Sequence, residues 1–333
     1  MRTVGRISVI VPMFNEEDHV EALVAAVAAQ DYEGEVEMLV SDGGSTDSSV
    51  PRLIAAAESH GVELRMLENG AGWVSHGLNA CIERASGDLI VRLDCHSRYP
   101  SDYLRRCALA AEETDAPVVG GIVVAEGRTA TERAVACAMD SPFGGIGWMR
   151  PPASGETRRD SDVVTYGAFR KEVFERLGGF DETLRRNQDD EFTLRVRKAG
   201  GRVLLDSTIR VNYTPRGSLR GVVKQYWQYG LWKVPVMLKH RTVPSARSQA
   251  PIAFVTSLLA LAAFAPRSTQ ARRLLELELG LYITCALGFG ALSVRRRHEP
   301  WALVPLVAAV FPAFHLGYGA GMLRGWLRAA VRR

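Results

Sequence analysis

Cysteine is sparse in this chain of 333 residues: five in all, at Cys81, Cys95, Cys107, Cys137 and Cys285, with no CxxC spacing among them. An odd, scattered set excludes a disulfide framework and a structural zinc cluster, and points to reduced thiols facing the cytoplasm. Internal repeats and low-complexity tracts are missing too. So is a GxGxxG turn after the first strand-like run, which leads into Pro12-Met13-Phe14-Asn15-Glu16 instead. Without those glycines a pyrophosphate cannot approach the backbone as it does in a dinucleotide-binding domain, which disfavours a dehydrogenase. The same loop lacks the glycines and the Arg or Lys expected of a nucleotidyltransferase. No cleavable signal is expected, because Met1 to Arg6 runs directly into a strand-like segment rather than a long apolar stretch. What remains is ordinary globular composition, 47% hydrophobic and 23% charged, in a length sufficient for two compact units.

The net charge of +4 conceals an asymmetry. From Lys239 onward there are 13 Lys+Arg against three acids, a net of +10, which leaves 28 basic and 34 acidic residues before it, a net of −6. An acidic part followed by an apolar, basic tail does not fit a nucleic-acid binder, whose positive charge should line the groove that tracks phosphates. It fits a membrane tail. Three apolar stretches follow one another, Ile252 to Ala265, Leu279 to Val294 and Trp301 to Leu323, each flanked by arginines. A spanning helix needs roughly 20 mostly apolar residues, so two or three spans are expected, with basic flanks on both sides that leave their number open. The amino-terminal part should stay cytoplasmic.

Ahead of the tail, apolar β-branched runs alternate with helical patterns. Strands are expected at Ile7 to Val11, ended by Pro12, then at Val36 to Val40, Glu63 to Leu67 and Leu89 to Leu93. The helices between them run from about Glu16 to Gln30 with Asn15 as N-cap, from Asp47 to His60 and from Ser75 to Ala85. Such alternation implies a parallel sheet with helices on both faces and ligands at the carboxyl ends of the strands. Beyond Ala116 the pattern loosens: a strand at Val118 to Val124, a helix at Thr131 to Met139, a Gly/Pro-rich loop from Ser141 to Gly155, a strand at Asp162 to Phe169, and helices at Lys171 to Leu177 and Asp190 to Ala199. The aromatic stretch Leu219 to Leu238 reads equally as a helix at the bilayer surface or as an ordinary packing helix.

The chemistry is sought at the strand ends. Asp42, in Ser41-Asp42-Gly43-Gly44-Ser45-Thr46-Asp47, is placed to accept a hydrogen bond from a base or ribose; a capped turn without ligand is the plain alternative. The fourth strand ends in Asp94-Cys95-His96, two metal-capable side chains two residues apart. A hard cation such as Mg²⁺ or Mn²⁺ would bridge such ligands to substrate phosphates. In Asn187-Gln188-Asp189-Asp190-Glu191 three acids crowd a helix start. Helix-dipole charges in solvent are the plain reading, and a general base for a hydroxyl is the chemical one, with Asp189 first and Asp190 in reserve. Gln228 and Trp232, one helical turn apart, suit a sugar or a pyrophosphate lipid as an acceptor-binding pair, though packing explains them as well.

Taken in order, Val9-Ile10-Val11-Pro12-Met13-Phe14-Asn15-Glu16, Ser41 to Asp47, Gly77-Leu78-Asn79-Ala80 with Ala85-Ser86-Gly87-Asp88, and Asp94-Cys95-His96 resemble the family 2 inverting glycosyltransferases of GT-A fold. The likeness covers about Ile7 to Trp232. Within that family, Arg92 to Ser97 and the apolar tail look most like the succinoglycan-biosynthesis type of membrane glucosyltransferase. The resemblance implies an α/β fold, a GT-A type mostly parallel sheet flanked by helices, followed by a C-terminal helical membrane region. It implies that Pro12, Glu16 and Asp42 hold the nucleotide, that Asp94 and His96 stand in the metal-binding DxD position for Mg²⁺ or Mn²⁺, and that Asp189 is the acceptor base. Three positions depart from the family pattern: His96 for the second acid, Gln188 for a Glu, and Leu231 for the Arg of QxxRW.

The expected organisation is a catalytic domain over 1–215, an amphipathic interface helix and linker over 216–250, and a membrane region over 251–333. The expected function is metal-dependent, inverting sugar transfer from a nucleotide diphosphate sugar to a hydroxyl of a polyprenyl-diphosphate-linked saccharide, in cell-surface or exopolysaccharide synthesis. The expected location is the cell membrane, multi-pass. A catalytically silent, membrane-tethered nucleotide-sugar or partner-binding module is the alternative, supported by the substitutions at His96, Gln188 and Leu231.

Overall fold

A computed structural model of the chain describes residues 3–144, 155–242 and 246–331. The contacts divide it into two compact units, Met1–Val124 with Met149–Tyr213, and Ala125–Trp148 with Thr214–Arg333. The segment Ala125–Trp148 thus packs with the second unit. Most of the loop expected over Ser141 to Gly155, and Arg332 and Arg333 of the tail, lie outside the described residues.

The first unit begins with the anticipated alternation: β1 (Arg6–Met13), α1 (Val20–Ala28), β2 (Glu35–Asp42), α2 (Ser49–His60), β3 (Glu63–Glu68), α3 (Val74–Arg84) and β4 (Leu89–Arg92). These four strands are parallel, in the order β3-β2-β1-β4. Their register pairs Met13 with Asp42, Asp42 with Glu68 and Ile10 with Arg92, so the carboxyl ends share one edge. β1 runs one residue past Pro12, which pairs with Ser41. Ile7, Val9 and Val11 enter one buried cluster and Ile10 the other; Leu89 and Val91 likewise oppose Ile90. This two-residue period, apolar on both faces, is what a strand covered on both sides requires.

Beyond β4 the sheet turns antiparallel. β5 (Ser97–Arg98), α4 (Tyr103–Thr114) and β6 (Val118–Ala125) come first; α5 (Ala130–Met139) belongs to the second unit; β7 (Arg158–Asp160), β8 (Ala168–Arg170), α6 (Lys171–Leu177), α7 (Gln188–Lys198) and β9 (Val203–Tyr213) follow. β8 pairs antiparallel with both β4 and β6, and β9 with β5 and β7, so the nine-stranded sheet is mixed. The strand expected over Asp162 to Phe169 shrinks to its last residues. Tyr166, at φ 53°, stands just ahead of it in the left-handed region, which ends an extended run. α7 packs Phe192 and Val196 into the same cluster as Ile90, Phe169 and Phe174, on the face that Arg92 shares with Ile90 by strand alternation.

The second unit is helical: α5, α8 (Leu219–His240), α9 (Ala246–Phe264), α10 (Thr269–Arg296) and α11 (Val304–Val331). α5 opens on a reciprocal capping box between Thr129 and Glu132. Arg133–Glu299 and Arg297–Asp140 ion pairs tie α5 to the α10–α11 connection. Gly317, Gly321 and Gly325, at four-residue spacing on α11, face α8 so closely that an added Cβ at Gly321 would strike the Trp227 carbonyl. Glycine rows of this kind let helix backbones approach. α8 is thus a packed helix within this unit. Two segments, Thr269–Arg296 and Trp301–Val331, are long and apolar enough to cross a membrane, and Ser248–Phe264 is a shorter apolar helix. Both long helices extend past the apolar stretches because their arginine flanks remain helical.

Candidate active site

Three loops leave the carboxyl edge of the parallel strands, and side-chain hydrogen bonds lace them together. Asn15 does not cap α1, whose first residue is Val20. It adopts φ 51°, accepts the Thr46 N–H on its Oδ1 at 2.9 Å and donates its own N–H to Ser45 Oγ at 2.9 Å. Asn tolerates this left-handed conformation better than most residues. The Glu16 N–H donates to Ser49 Oγ at 2.7 Å. Asp42 forms an Asx turn: its carboxylate accepts from Ser45 Oγ at 2.6 Å and from the Ser45 and Gly44 N–H groups at 3.1 and 3.3 Å. The β1 and β2 loops are therefore one braced surface, with half-buried Pro12, Glu16 and Asp42 along it.

The turn after β4 carries Asp94 and His96. The Asp94 N–H donates to the Tyr99 hydroxyl at 2.7 Å, Ser97 Oγ donates to the Tyr166 hydroxyl at 3.1 Å, and the Tyr103 hydroxyl donates to the Tyr166 carbonyl at 2.7 Å. These tyrosines hold the turn from beneath. His96 Nδ1 lies 3.2 Å from Glu16 Oε1, which joins an expected metal ligand to an expected nucleotide-site residue.

Asp189 arrives from the far end of the unit. Asn187, at φ 63°, turns the chain into α7, and Asp189 falls in its first turn. The three acids there are not uniformly solvated: Glu191 is fully buried against Arg195 at 3.0 Å, and the Asp189 side chain is 18% exposed. The loop before α7 is pinned by α3. Ser75 Oγ donates to the Leu184 carbonyl at 2.9 Å, Asn79 exchanges hydrogen bonds with the Phe180 backbone at 2.7 and 2.9 Å, and the Arg185 guanidinium stacks 3.6 Å over the Trp73 ring. Asn79, quoted above only as part of a motif, thus works as a clasp.

Arg92 was not singled out from the sequence, yet it connects the site. Only 8% exposed, it donates from Nη1 to both Asp189 oxygens at 2.6 and 2.7 Å, and from Nε and Nη2 to Asp94 Oδ1 at 3.2 and 3.1 Å. Its partner Asp189 is 97 positions away in the chain. Burial opposes the Arg92 charge, and Asp189 and then Asp94 more than restore it, so its pKa is raised. Burial raises the Asp189 pKa above the ordinary aspartate value, Arg92 counters it, and Asp94 adds to the rise.

In the first unit, then, Asp42 and Glu16 sit on the braced β1–β2 loop surface, Glu16 meets His96, and Arg92 joins Asp94 to Asp189. Gln228 and Trp232 lie one turn apart on α8, both half-buried, in the second unit. Among the described residues no group of three or more His, Cys, Asp or Glu forms a metal cage. Asp94 Oδ2 has only a 3.5 Å contact with Arg92, and the Asp94 and His96 side chains are 19% and 38% exposed. That donor set fits a hard cation that takes the rest of its ligands from a bound diphosphate and water, as Mg²⁺ and Mn²⁺ sites often do.

The fold is a mixed α/β sheet flanked by helices, and comparison with known proteins gives its family. Residues 8–178 match the family described as Glycosyl transferase family 2. This chain belongs to that family and is a glycosyltransferase. It is 28% identical over 320 residues to the "Succinoglycan biosynthesis protein ExoA" of Rhizobium meliloti (strain 1021), covering 95% of this chain and 93% of that protein. It is 27% identical over 237 residues to a dolichyl N-acetyl-alpha-D-glucosaminyl phosphate 3-beta-D-2,3-diacetamido-2,3-dideoxy-beta-D-glucuronosyltransferase of Methanococcus voltae, covering 68% of this chain and 72% of that one. Among solved structures, the mannosyltransferase PcManGT from Pyrobaculum calidifontis, in complex with GDP-Man and Mn²⁺, superposes with a TM-score of 0.66 at 20% identity, covering 92% of this chain and 87% of that one. That likeness supports the GT-A type fold.

Proposed function

We propose that the protein is an inverting, divalent-cation-dependent glycosyltransferase that moves a sugar from a nucleotide diphosphate sugar to a hydroxyl of a lipid-linked saccharide. The reading is carried by one observation: Asp189 and Asp94, far apart in sequence, meet on the two sides of Arg92. Asp189 takes the proton from the acceptor hydroxyl as that oxygen attacks the anomeric carbon, and its raised pKa strengthens it as a base. Each of its oxygens keeps a lone pair beside the bond from Arg92. Pro12, Glu16 and Asp42 line the nucleotide side, and Asp94 with His96 would hold Mg²⁺ or Mn²⁺. Bound there, such a cation would supply charge neutralisation for the departing nucleotide diphosphate. Attack opposite the leaving group, in one displacement, gives inversion.

The solved mannosyltransferase carries GDP-Man and Mn²⁺, and a solved TarS structure carries UDP-GlcNAc; both support a nucleotide-sugar donor. The Methanococcus relative is named for a dolichyl phosphate-linked substrate, and the Rhizobium one for succinoglycan biosynthesis. With the two apolar helices, these names support a polyprenyl-linked acceptor at the cell membrane and a role in cell-surface or exopolysaccharide synthesis. We assign the chain a multi-pass placement with the catalytic domain cytoplasmic, a domain plan of 1–215, 216–250 and 251–333, and Gln228 and Trp232 to the acceptor. The test is a panel of radiolabelled nucleotide sugars offered, with and without EDTA, to membranes containing lipid-linked acceptors. One donor should give EDTA-sensitive transfer with an inverted anomeric bond. Binding without metal-dependent release of nucleotide would favour the silent module, and retention would exclude the single displacement.

A further inference from the structure

Arg92 is unusual for its position. A guanidinium sits inside the sheet-facing wall of the site, and its two partners are the residues given the two halves of the chemistry, the cation ligand Asp94 and the base Asp189. Two carboxylates that share one partner in a poorly solvated place repel, and a divalent ion is a usual remedy; a carboxylate that coordinated such an ion would be a much weaker base. The chain meets this difficulty with a cation of its own.

Resting on the glycosyltransferase reading above, we propose that Arg92 is a positioning residue that occupies the gap between Asp94 and Asp189, confines the divalent ion to the Asp94 Oδ2 and His96 side, and so keeps Asp189 uncoordinated as a base. The hydrogen bonds are arranged for that division. Nη1 serves both oxygens of Asp189, Nε and Nη2 converge on Oδ1 of Asp94, and Oδ2 is left with the single 3.5 Å contact. Arg92 is itself fixed: its N–H donates to the Gly167 carbonyl at 3.0 Å, between β4 and the start of β8. The planar fork can serve two carboxylates at once, and lysine, a point charge, cannot reproduce that geometry.

The test uses the full chain in detergent, without nucleotide, and reads free Mn²⁺ by electron paramagnetic resonance, so it needs no donor or acceptor. Arg92→Met should bind Mn²⁺ about tenfold more tightly than the parent, because two uncompensated carboxylates then face each other. Adding Asp189→Asn should abolish that gain, and Arg92→Lys should hold Mn²⁺ affinity at the parent level. Arg92→Gln, which removes the charge but keeps one polar N–H₂ group on a shorter side chain, is read in parallel in case the Met variant does not fold, and should tighten Mn²⁺ in the same direction. Once a donor is known, kcat of Arg92→Lys should fall about 10²-fold from misplacement of the base, with donor KM little changed. Mn²⁺ affinity equal to or weaker than the parent in Arg92→Met or Arg92→Gln, or a gain that survives Asp189→Asn, would overturn the proposal. Failure of every donor would sink the catalytic reading instead, and the Mn²⁺ titration would still stand.

Discussion

Two carboxylates, one near each end of the parallel strands, are treated by the fold in opposite ways. Near the amino end, Glu37 on β2 is fully buried and accepts from Ser8 Oγ at 2.6 Å and from the Ser86 N–H and hydroxyl at 2.7 Å, with Arg6 alongside at 3.4 Å. Burial alone would raise its pKa; these donors overcome it and pull the pKa down to about 2. At the carboxyl end, Asp189 has one guanidinium for both oxygens, and burial wins, so its pKa rises. A carboxylate that is fully supplied with donors holds the sheet together. One that is under-supplied has a raised pKa, which under the proposed mechanism is the basicity that proton transfer would use.

That contrast can be broken by experiment. The largest effect is expected from Asp94→Ala: turnover should fall on the order of 10²-fold or more and Mn²⁺-dependent nucleotide affinity should weaken, as read by calorimetry with and without Mn²⁺. Unchanged affinity would remove Asp94 from the cation site. Next, Glu37→Gln should lower unfolding free energy by about 3 kcal/mol in denaturant titration while leaving kcat near normal. Its pH signature follows from the sign of the shift. Because the folded pKa lies below the ordinary 4.5, the stabilisation is present above that value and is lost as pH falls toward about 2. An acid-unfolding midpoint that Glu37→Gln leaves unmoved would contradict this. Asp189 has the opposite sign: its ionisation is less favourable in the folded protein than in the unfolded chain, so the acidic limb of kcat should lie above the ordinary aspartate pKa, as read from a pH–rate profile. The smallest effect, about 1 kcal/mol, is expected from Thr129→Ala, which removes only the cap of α5 in the helical unit.

The parallel half of the sheet was legible because its signals are local. Ile7 to Val11, Val36 to Val40 and Leu89 to Leu93 are apolar runs bounded by turns, and their strand ends point to the loops that hold Asp42 and Asp94. The antiparallel half was legible only in part: the strand expected over Val118 to Val124 is β6, Val118–Ala125, whereas only the end of the one expected over Asp162 to Phe169 is strand. β9 was missed although it runs over Val203–Tyr213, since its apolar run is interrupted by Asp206, a buried acid held by the distant Arg158 at 2.6 Å and by the Thr208 N–H and hydroxyl at 2.8 and 2.6 Å. α4 was missed as well; its buried face, Tyr103, Leu104, Cys107, Ala108, Ala110 and Ala111, recurs at helical spacing but is built mostly of small side chains. Asn15 looked like a helix cap because its type and the acids after it suit one, and the loop from β2 claimed its side chain instead. Arg92 offered no local signal, being one basic residue in an apolar strand whose partner Asp189 comes into reach only when β4 and α7 share a face. Its place directly before Leu93-Asp94, on the same strand face as Asp94, was the available hint.

The most direct test is turnover by Asp189→Asn in protein shown to bind its nucleotide normally. With the base removed and the rest of the site in place, kcat should fall about 10²- to 10⁴-fold while nucleotide affinity stays near that of the parent. Turnover within twofold of the parent would place the proton acceptor elsewhere and leave the meeting of Asp94, Arg92 and Asp189 without a catalytic meaning.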